Sequence, residues 1–291
     1  MMHRAGFVNI FGKPNAGKST LLNAILGEKL AIVSPKVQTT RHRITGVLTE
    51  PGYQIVFSDT PGIIDPKYKM HEKMMSAVKS ALEDADVALL LMDARDNLDE
   101  CLELFASLKL KGTSILVINK MDNLEASTIE ALREKCIAWG KAKSVIFISA
   151  IQKKNIDLLK KEIVQLLPES EPFYPEDTLT DRSTRFFVAE MIREQIFHLF
   201  EDEIPYHTAV VVTLFQEKQT LTKISADIVV TRETQKGIIL GERGRSIREI
   251  GSRARQEIEK FLDRKVFLEL HVKVRDKWRD NDKYLREYGL L

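Results

Sequence analysis

Two periodicities alternate along the first 167 residues. Short apolar runs at Phe7–Phe11, Tyr53–Phe57, Val87–Met92, Ile115–Ile118 and Val145–Ile148 predict strands. The segments Leu98–Leu110, Ser127–Trp139 and Asn155–Leu167 carry apolar residues at three- and four-residue spacing, the pattern of helices lying on a sheet. This alternation predicts an α/β domain with a mostly parallel sheet, whose ligands gather at the carboxyl ends of its strands. The pattern stops at Pro168–Asp177, where three prolines and four acidic residues predict an extended linker. The chain is therefore read as a first domain over 1–167, a linker over 168–182 and a smaller α+β domain over 183–291. In the latter, Val188, Ile192, Ile196 and Leu199 predict a helix, and Thr208–Leu214 and Leu221–Thr231 predict strands. A second helix, with Ile247, Ile250, Ala254, Ile258 and Phe261 on one face, precedes a strand over Val266–Val274.

Composition narrows the class without naming a ligand. With 291 residues, 44% hydrophobic and 30% charged, the chain is expected to be globular, with a core in each domain. A formal charge of +2 argues by itself for neither a nucleic-acid nor a membrane partner. Cys101 and Cys136 have no partner at metal or redox spacing, which predicts reduced, buried thiols in a cytosolic protein. The six histidines show no zinc-ligand spacing. The longest apolar run, Val87–Met92, is far short of the roughly 20 residues that span a bilayer, and the amino terminus has no signal-peptide pattern.

The chemistry follows the apolar runs. Gly12-Lys13-Pro14-Asn15-Ala16-Gly17-Lys18-Ser19 directly follows the first strand, fits GxxxxGK[ST], and leads into a helix beginning near Thr20. In such a loop the glycines let backbone N–H groups close around phosphate oxygens, the lysine reaches the β and γ phosphates, and the serine ligates Mg²⁺. Asn119-Lys120-Met121-Asp122 fits NKxD, whose aspartate accepts from the ring N–H and amino group of guanine, a donor pair that adenine lacks. Ser149-Ala150 can add a backbone N–H to the guanine oxygen. Asp59-Thr60-Pro61-Gly62 fits DxxG, in which Asp59 holds Mg²⁺ through water and the Gly62 N–H senses the γ-phosphate. In Gln38-Thr39-Thr40-Arg41 a threonine supplies the remaining Mg²⁺ contact; the pattern of related GTPases favours Thr40 over Thr39. Four motifs in this order predict a GTPase binding GTP or GDP with Mg²⁺.

In the second domain, Gly241-Glu242-Arg243-Gly244 is a GxxG turn joining two helices beside a small sheet, the KH arrangement for single-stranded nucleic acid. From Thr231 to Asp280 there are 14 Lys or Arg and 9 Asp or Glu, a local excess of five. Arg243, Arg245, Arg248, Arg253 and Arg255 surround the turn, so Gly241, Glu242, Arg243, Gly244, Arg245 and Arg248 are the candidate RNA-binding residues. Glu242 stands where KH loops commonly carry a basic residue.

With GxPNxGKS, QTTRHR, DTPG, NKxD and SA followed by this KH signature and Val272–Arg279, the chain resembles the Era family of bacterial GTPases over both domains. The resemblance implies that its partner is the 3′ end of small-subunit ribosomal RNA and its process maturation of the small ribosomal subunit. It also implies a cytoplasmic monomer with peripheral association at the inner face of the cell membrane. Ile63 follows the DxxG motif where Ras-like GTPases carry a water-orienting glutamine, so hydrolysis is expected to be slow. In related GTPases the asparagine corresponding to Asn15 helps hold a potassium ion beside the phosphates; Lys18, Thr40, Asp59, Gly62 and Asn15 are accordingly the candidate catalytic residues. Two other readings compete: an RNA-binding scaffold whose GTP site is structural, and a metabolic P-loop ATPase or kinase, against which NKxD argues.

Overall fold

A computed structural model describes residues 3–34 and 36–290. The chain divides into two compact units, Met1–Pro66 with Met74–Asp181, and Lys67–Lys73 with Arg182–Leu291.

The first unit is built on a six-stranded sheet. In chain order its elements are β1 (Arg4–Phe11), α1 (Lys18–Leu26), β2 (Ile44–Glu50), β3 (Tyr53–Asp59), α2 (Lys69–Asp84, which begins in the segment grouped with the second unit), β4 (Val87–Asp93), α3 (Leu98–Ser107), β5 (Thr113–Asn119), α4 (Ala126–Trp139), β6 (Ser144–Phe147) and α5 (Ile156–Leu166). The strand order is β2-β3-β1-β4-β5-β6. All neighbours run parallel except β2, which pairs antiparallel with β3. Strand β4 is buried along its whole length, as expected of a central strand covered by helices on both faces. The strands expected from apolar runs form. β2 and α2 lie where the sequence showed no element: β2 carries Thr45, Gly46 and Thr49 among its apolar residues, and its pairing with β3 rather than its hydrophobicity makes it a strand. Cys101 and Cys136 are free and buried, and burial pushes the Cys101 thiol up to about 11.

The segment after α5 does not leave the first unit at once. The buried side chain of Gln54 accepts at Oε1 from the N–H of Phe173 (2.7 Å) and of Tyr174 (2.9 Å), and donates to the Tyr174 carbonyl at 2.8 Å. The Phe173 ring lies 4.8 Å from that of Phe7, and the Val47 N–H on edge strand β2 reaches the Leu179 carbonyl at 2.8 Å. One amide side chain thus serves as a partner for an irregular strap, and the strap in turn covers the edge of β2.

The second unit contains α6 (Thr184–Leu199), β7 (Ala209–Glu217), β8 (Thr222–Val230), α7 (Glu233–Leu240), α8 (Arg245–Leu262), β9 (Val266–Val274) and α9 (Asp282–Glu287). Its three strands are ordered β7-β8-β9, antiparallel then parallel. Val188, Ile192 and Ile196 of α6 meet Ile224 and Ile228 of β8 and Ile250, Ala254 and Ile258 of α8 in one core. The apolar face read along α8 is narrower than its periodicity implied. Ile247 is only partly buried, and Phe261 is 41% exposed, packing at the rim against Phe187.

Replacing Gln54 with leucine would keep the volume but strand the strap's polar groups. We expect a loss of about 2 kcal/mol, set by one or two buried groups left unpaired, and faster proteolytic cleavage within 168–181. Urea denaturation and limited proteolysis of the full chain check this; unchanged stability and cleavage would mean that the strap is held elsewhere.

Candidate functional site

The loops after β1, β3 and β5 meet at the carboxyl end of the sheet, where a cavity of about 430 Å³ is lined by Gly17, Lys18, Ser19, Thr40, Gly62 and Lys120 among others. The backbone explains the glycines. A Cβ on Gly12 would stand 2.2 Å from the Leu91 carbonyl oxygen; on Gly17, whose φ is +98°, it would stand 2.3 Å from Asn119 Nδ2. A Cβ on Gly62 would meet the Pro14 ring and backbone at 2.9 Å, and the Ile63 N–H bonds the Gly12 carbonyl at 3.2 Å. The DxxG segment is therefore docked on the phosphate loop with no room for a side chain between them.

Within the loop, Lys18 is buried and its ammonium donates to the carbonyls of Gly12 (3.2 Å) and Lys13 (2.9 Å). Burial lowers its pKa to about 8, opposed by the Asp59 charge. Ser19 Oγ lies 2.8 Å from Thr40 Oγ1, and both hydroxyls donate to Asp59 Oδ2, at 2.6 and 3.1 Å. Of the two neighbouring threonines, Thr40 places its hydroxyl in this cluster, while Thr39 lines the cavity. Asp59 is fully buried, which raises its pKa, and its Oδ1 has no hydrogen-bond partner. A carboxylate oxygen without a partner beside two hydroxyls is a hard-oxygen donor set that suits magnesium.

Other motif residues frame the cavity without lining it. Asn119 donates to the Ala16 carbonyl at 2.9 Å and accepts from the Ala150 N–H at 3.0 Å, joining the phosphate loop to the Ser149-Ala150 turn. Ser149 is buried and exchanges backbone bonds with Lys154. Thr60 is buried and donates to the Ile10 carbonyl at 2.7 Å, while Pro61 and Ala16 are also buried. Lys13 turns away from the cavity to pair with Glu100 at 2.9 Å. Asp122 is exposed in the 3-10 turn Met121–Asn123, outside the cavity lining. Pro14, Asn15 and Thr20 do line the cavity, Asn15 at a φ of 65°. Sequence reasoning missed Asp93, Arg95 and Ile151, which also line it. Asp93 ends a strand predicted to face this site, which was the available signal.

In the second unit, three of the four turn residues sit at positive φ: Gly241 at 69°, Arg243 at 49° and Gly244 at 75°. A Cβ on Gly241 would stand 2.2 Å from Ser246 Oγ, whereas one on Gly244 would find only Ile247, at 4.0 Å. Gly244 is thus required by conformation, and its outer face is open. Glu242, Arg243 and Arg245 are exposed. Arg248 is committed to the turn itself, donating from Nε to the Gly244 carbonyl at 3.1 Å and from Nη2 to the Arg243 carbonyl at 2.9 Å. Beyond the turn a groove of about 400 Å³ runs between α8 and β9, lined by Ile247, Gly251, Ser252, Arg255, Phe267 and Leu270 among others. Ile247, read on the apolar face of this helix, lines this groove. The small residues Gly251 and Ser252, which lie within α8 beside the apolar stripe, mark it in the sequence.

Residues 7–120 match a family model described as 50S ribosome-binding GTPase, and residues 203–279 match one described as KH domain. The chain is 44% identical to GTPase Era of Geotalea uraniireducens over 292 residues, covering 98% of this chain and 97% of that protein. It is 42% identical to GTPase Era of Carboxydothermus hydrogenoformans, at 99% and 98% coverage. Among solved structures it resembles Era in complex with MgGDPNP and nucleotides 1506–1542 of 16S ribosomal RNA, with a TM-score of 0.94, 40% identity and 99% of each chain covered. A variant of Aquifex aeolicus Era bound to GDP·AlF4⁻ aligns with a TM-score of 0.92 at 40% identity, with 99% of each chain covered.

The lowered pKa of Lys18 has a measurable consequence. A bound polyphosphate favours the ammonium, so above pH 8, where free Lys18 is increasingly neutral, binding must take up a proton. Nucleotide affinity should be flat from about pH 6.5 to 7.5 and fall by as much as about tenfold per unit above pH 8. Calorimetry at pH 9 in buffers of different ionisation enthalpy should show proton uptake approaching one; no uptake would contradict a buried, deprotonatable Lys18.

Proposed function

This chain belongs to the Era family of GTPases, and on that premise we propose that it joins GTP binding and hydrolysis to recognition of the 3′ segment of small-subunit ribosomal RNA during subunit assembly. The observation that carries this reading is the presence, in one chain, of the phosphate-loop cavity and the groove behind a GxxG turn. The full-length likeness to an Era structure holding both a GTP analogue and 16S rRNA supports it.

In the GTP site, the N–H groups of residues 15–19 and the Lys18 ammonium would receive the phosphates. Ser19 and Thr40 would hold magnesium, with Asp59 behind them; the ion, when bound, neutralises charge on the β and γ phosphates. Asp122 would accept from the two guanine donors, and the Ala150 N–H, which donates to Asn119 Oδ1 in this structure, would share its proton with the guanine oxygen. Thr40 and Gly62 would sense the γ-phosphate, one by hydroxyl and the other by N–H. Ile63 packs against the hydrophobic core and has no group to orient water, so the charge that assists hydrolysis must come from elsewhere. A potassium ion held at Asn15 would supply it. Among the described residues no helix is long and apolar enough to cross a membrane; the association that the resemblance implies is a peripheral one.

Two experiments test these assignments. GTP hydrolysis should be faster in potassium than in sodium at equal ionic strength, and Asn15→Gly, which suits the positive φ while removing the amide, should abolish the difference. Equal rates in the two salts would remove the ion. For RNA, Gly244→Asp should weaken binding of a 16S 3′-end oligonucleotide more than about tenfold, by opposing the turn's backbone conformation and adding charge beside phosphate. GTP hydrolysis without RNA should stay within about twofold, since the substitution leaves the phosphate loop untouched. A folded Gly244→Asp protein that binds RNA like the wild type would leave the groove without this function.

A further inference from the structure

One buried acid in the nucleotide cavity belongs to none of the GTPase motifs. Asp93 is the last residue of β4 and only 6% exposed. Burial alone would raise its pKa, but hydrogen bonds from Arg95 and Lys120 hold the carboxyl well below the usual range, so it is ionised. Oδ1 accepts from the Arg95 N–H and Nε, each at 3.0 Å, and Oδ2 accepts from Arg95 Nη2 at 2.7 Å. The Lys120 ammonium also reaches Oδ2 at 2.7 Å.

The strand register explains why these groups meet. β4 and β5 run parallel with Asp93 opposite Asn119, and the Ala94 N–H bonds the Asn119 carbonyl at 2.9 Å. The acid and the lysine of NKxD therefore leave adjacent strand ends together. Lys120 has a φ of 63°, and its ammonium also donates to the Asn15 carbonyl of the phosphate loop at 2.8 Å. A four-carbon stem bearing a strongly hydrated charge has little intrinsic preference for one position. Here an anion on one side and a carbonyl on the other fix it across the loop.

We propose that Asp93 is a positioning residue that holds Lys120 over the phosphate loop and thereby sets how long guanine nucleotide stays bound. It acts through Lys120, not on the nucleotide. Arg95, bound to the same carboxylate from its exposed side, keeps Asp93 compensated when Lys120 is absent, which makes the pair separable by mutation.

The inference rests on the guanine-nucleotide reading of the cavity, and a double-mutant cycle in the full chain separates the two. Dissociation of fluorescent GDP is measured by stopped flow. Wild-type protein that bound no labelled GDP would overturn the cavity reading itself. If the wild type binds, Asp93→Asn should speed dissociation by on the order of tenfold, the effect of weakening a charge-assisted hydrogen bond. In a Lys120→Met background the same substitution should change the rate by less than about twofold, because no ammonium remains to position. A merely structural defect would accelerate dissociation equally in both backgrounds, and that additivity would overturn the proposal, as would an unchanged rate for Asp93→Asn. If Asp93→Asn does not fold, Asp93→Glu, which keeps the charge but displaces it, serves in the same cycle. Its acceleration should be smaller and should also vanish without the Lys120 ammonium; acceleration that persists there would overturn the proposal equally.

Discussion

The nucleotide cavity depends on how closely three loops approach one another, and the side-chain amide of Asn119 sets that approach. It is 2% exposed, donates to the phosphate loop at Ala16 and accepts from the turn at Ala150. An aspartate at this position could not donate as an anion, and an aliphatic residue could do neither. The same amide lies where a Cβ on Gly17 would be, so the loops are locked at van der Waals distance and the glycine is a packing requirement as well as a conformational one. Gly62 repeats the arrangement against Pro14. The DxxG segment is therefore already touching the phosphate loop.

Within that frame the buried charges divide into two kinds. Lys18 and Asp59 are both buried, and burial moves each pKa toward its neutral form, down for the lysine and up for the acid. Each is a group whose full charge is favoured by a ligand of opposite sign: phosphate for the one, a divalent cation for the other. Asp93 is of the second kind, because Arg95 and Lys120 already compensate it and it stays ionised with no ligand. A buried charge with internal partners organises structure, whereas one short of partners recruits them from solution.

The second unit uses backbone conformation more than charge. Residues 241, 243 and 244 all lie in positive φ, a conformation that costs a non-glycine residue such as Arg243. Arg248 offsets that cost by donating to the carbonyls of residues 243 and 244. The basic cluster read from the sequence is thus not uniform: Arg243 and Arg245 face solvent, while the Arg248 guanidinium holds the turn in shape. The apolar groove between α8 and β9 adds a surface that charge counting alone would not reveal.

The phosphate loop, DxxG, NKxD and GxxG were legible in the sequence because each places a few residue types at fixed spacing on a local backbone turn. The same holds for the parallel strands, whose largely apolar runs follow from burial on both faces, and for the core stripe Ile250, Ala254 and Ile258. What remained hidden depends on residues far apart in the chain. Strand β2 exists through its pairing with β3, and the strap after α5 is held by Gln54, about 120 positions earlier. Ile247 was read on the apolar face of a helix and Arg248 as an RNA-binding candidate, but only the packing of α8 on β9 and the carbonyls of the turn place one in a groove and the other as a clamp. Asp93 ends an apolar strand and matches no motif; register with β5 is what brings it to Lys120. Sequence determined the chemistry that a short stretch of backbone can present, and tertiary structure decided which distant side chains complete it, because a buried polar group is stable only where a partner has been brought to meet it.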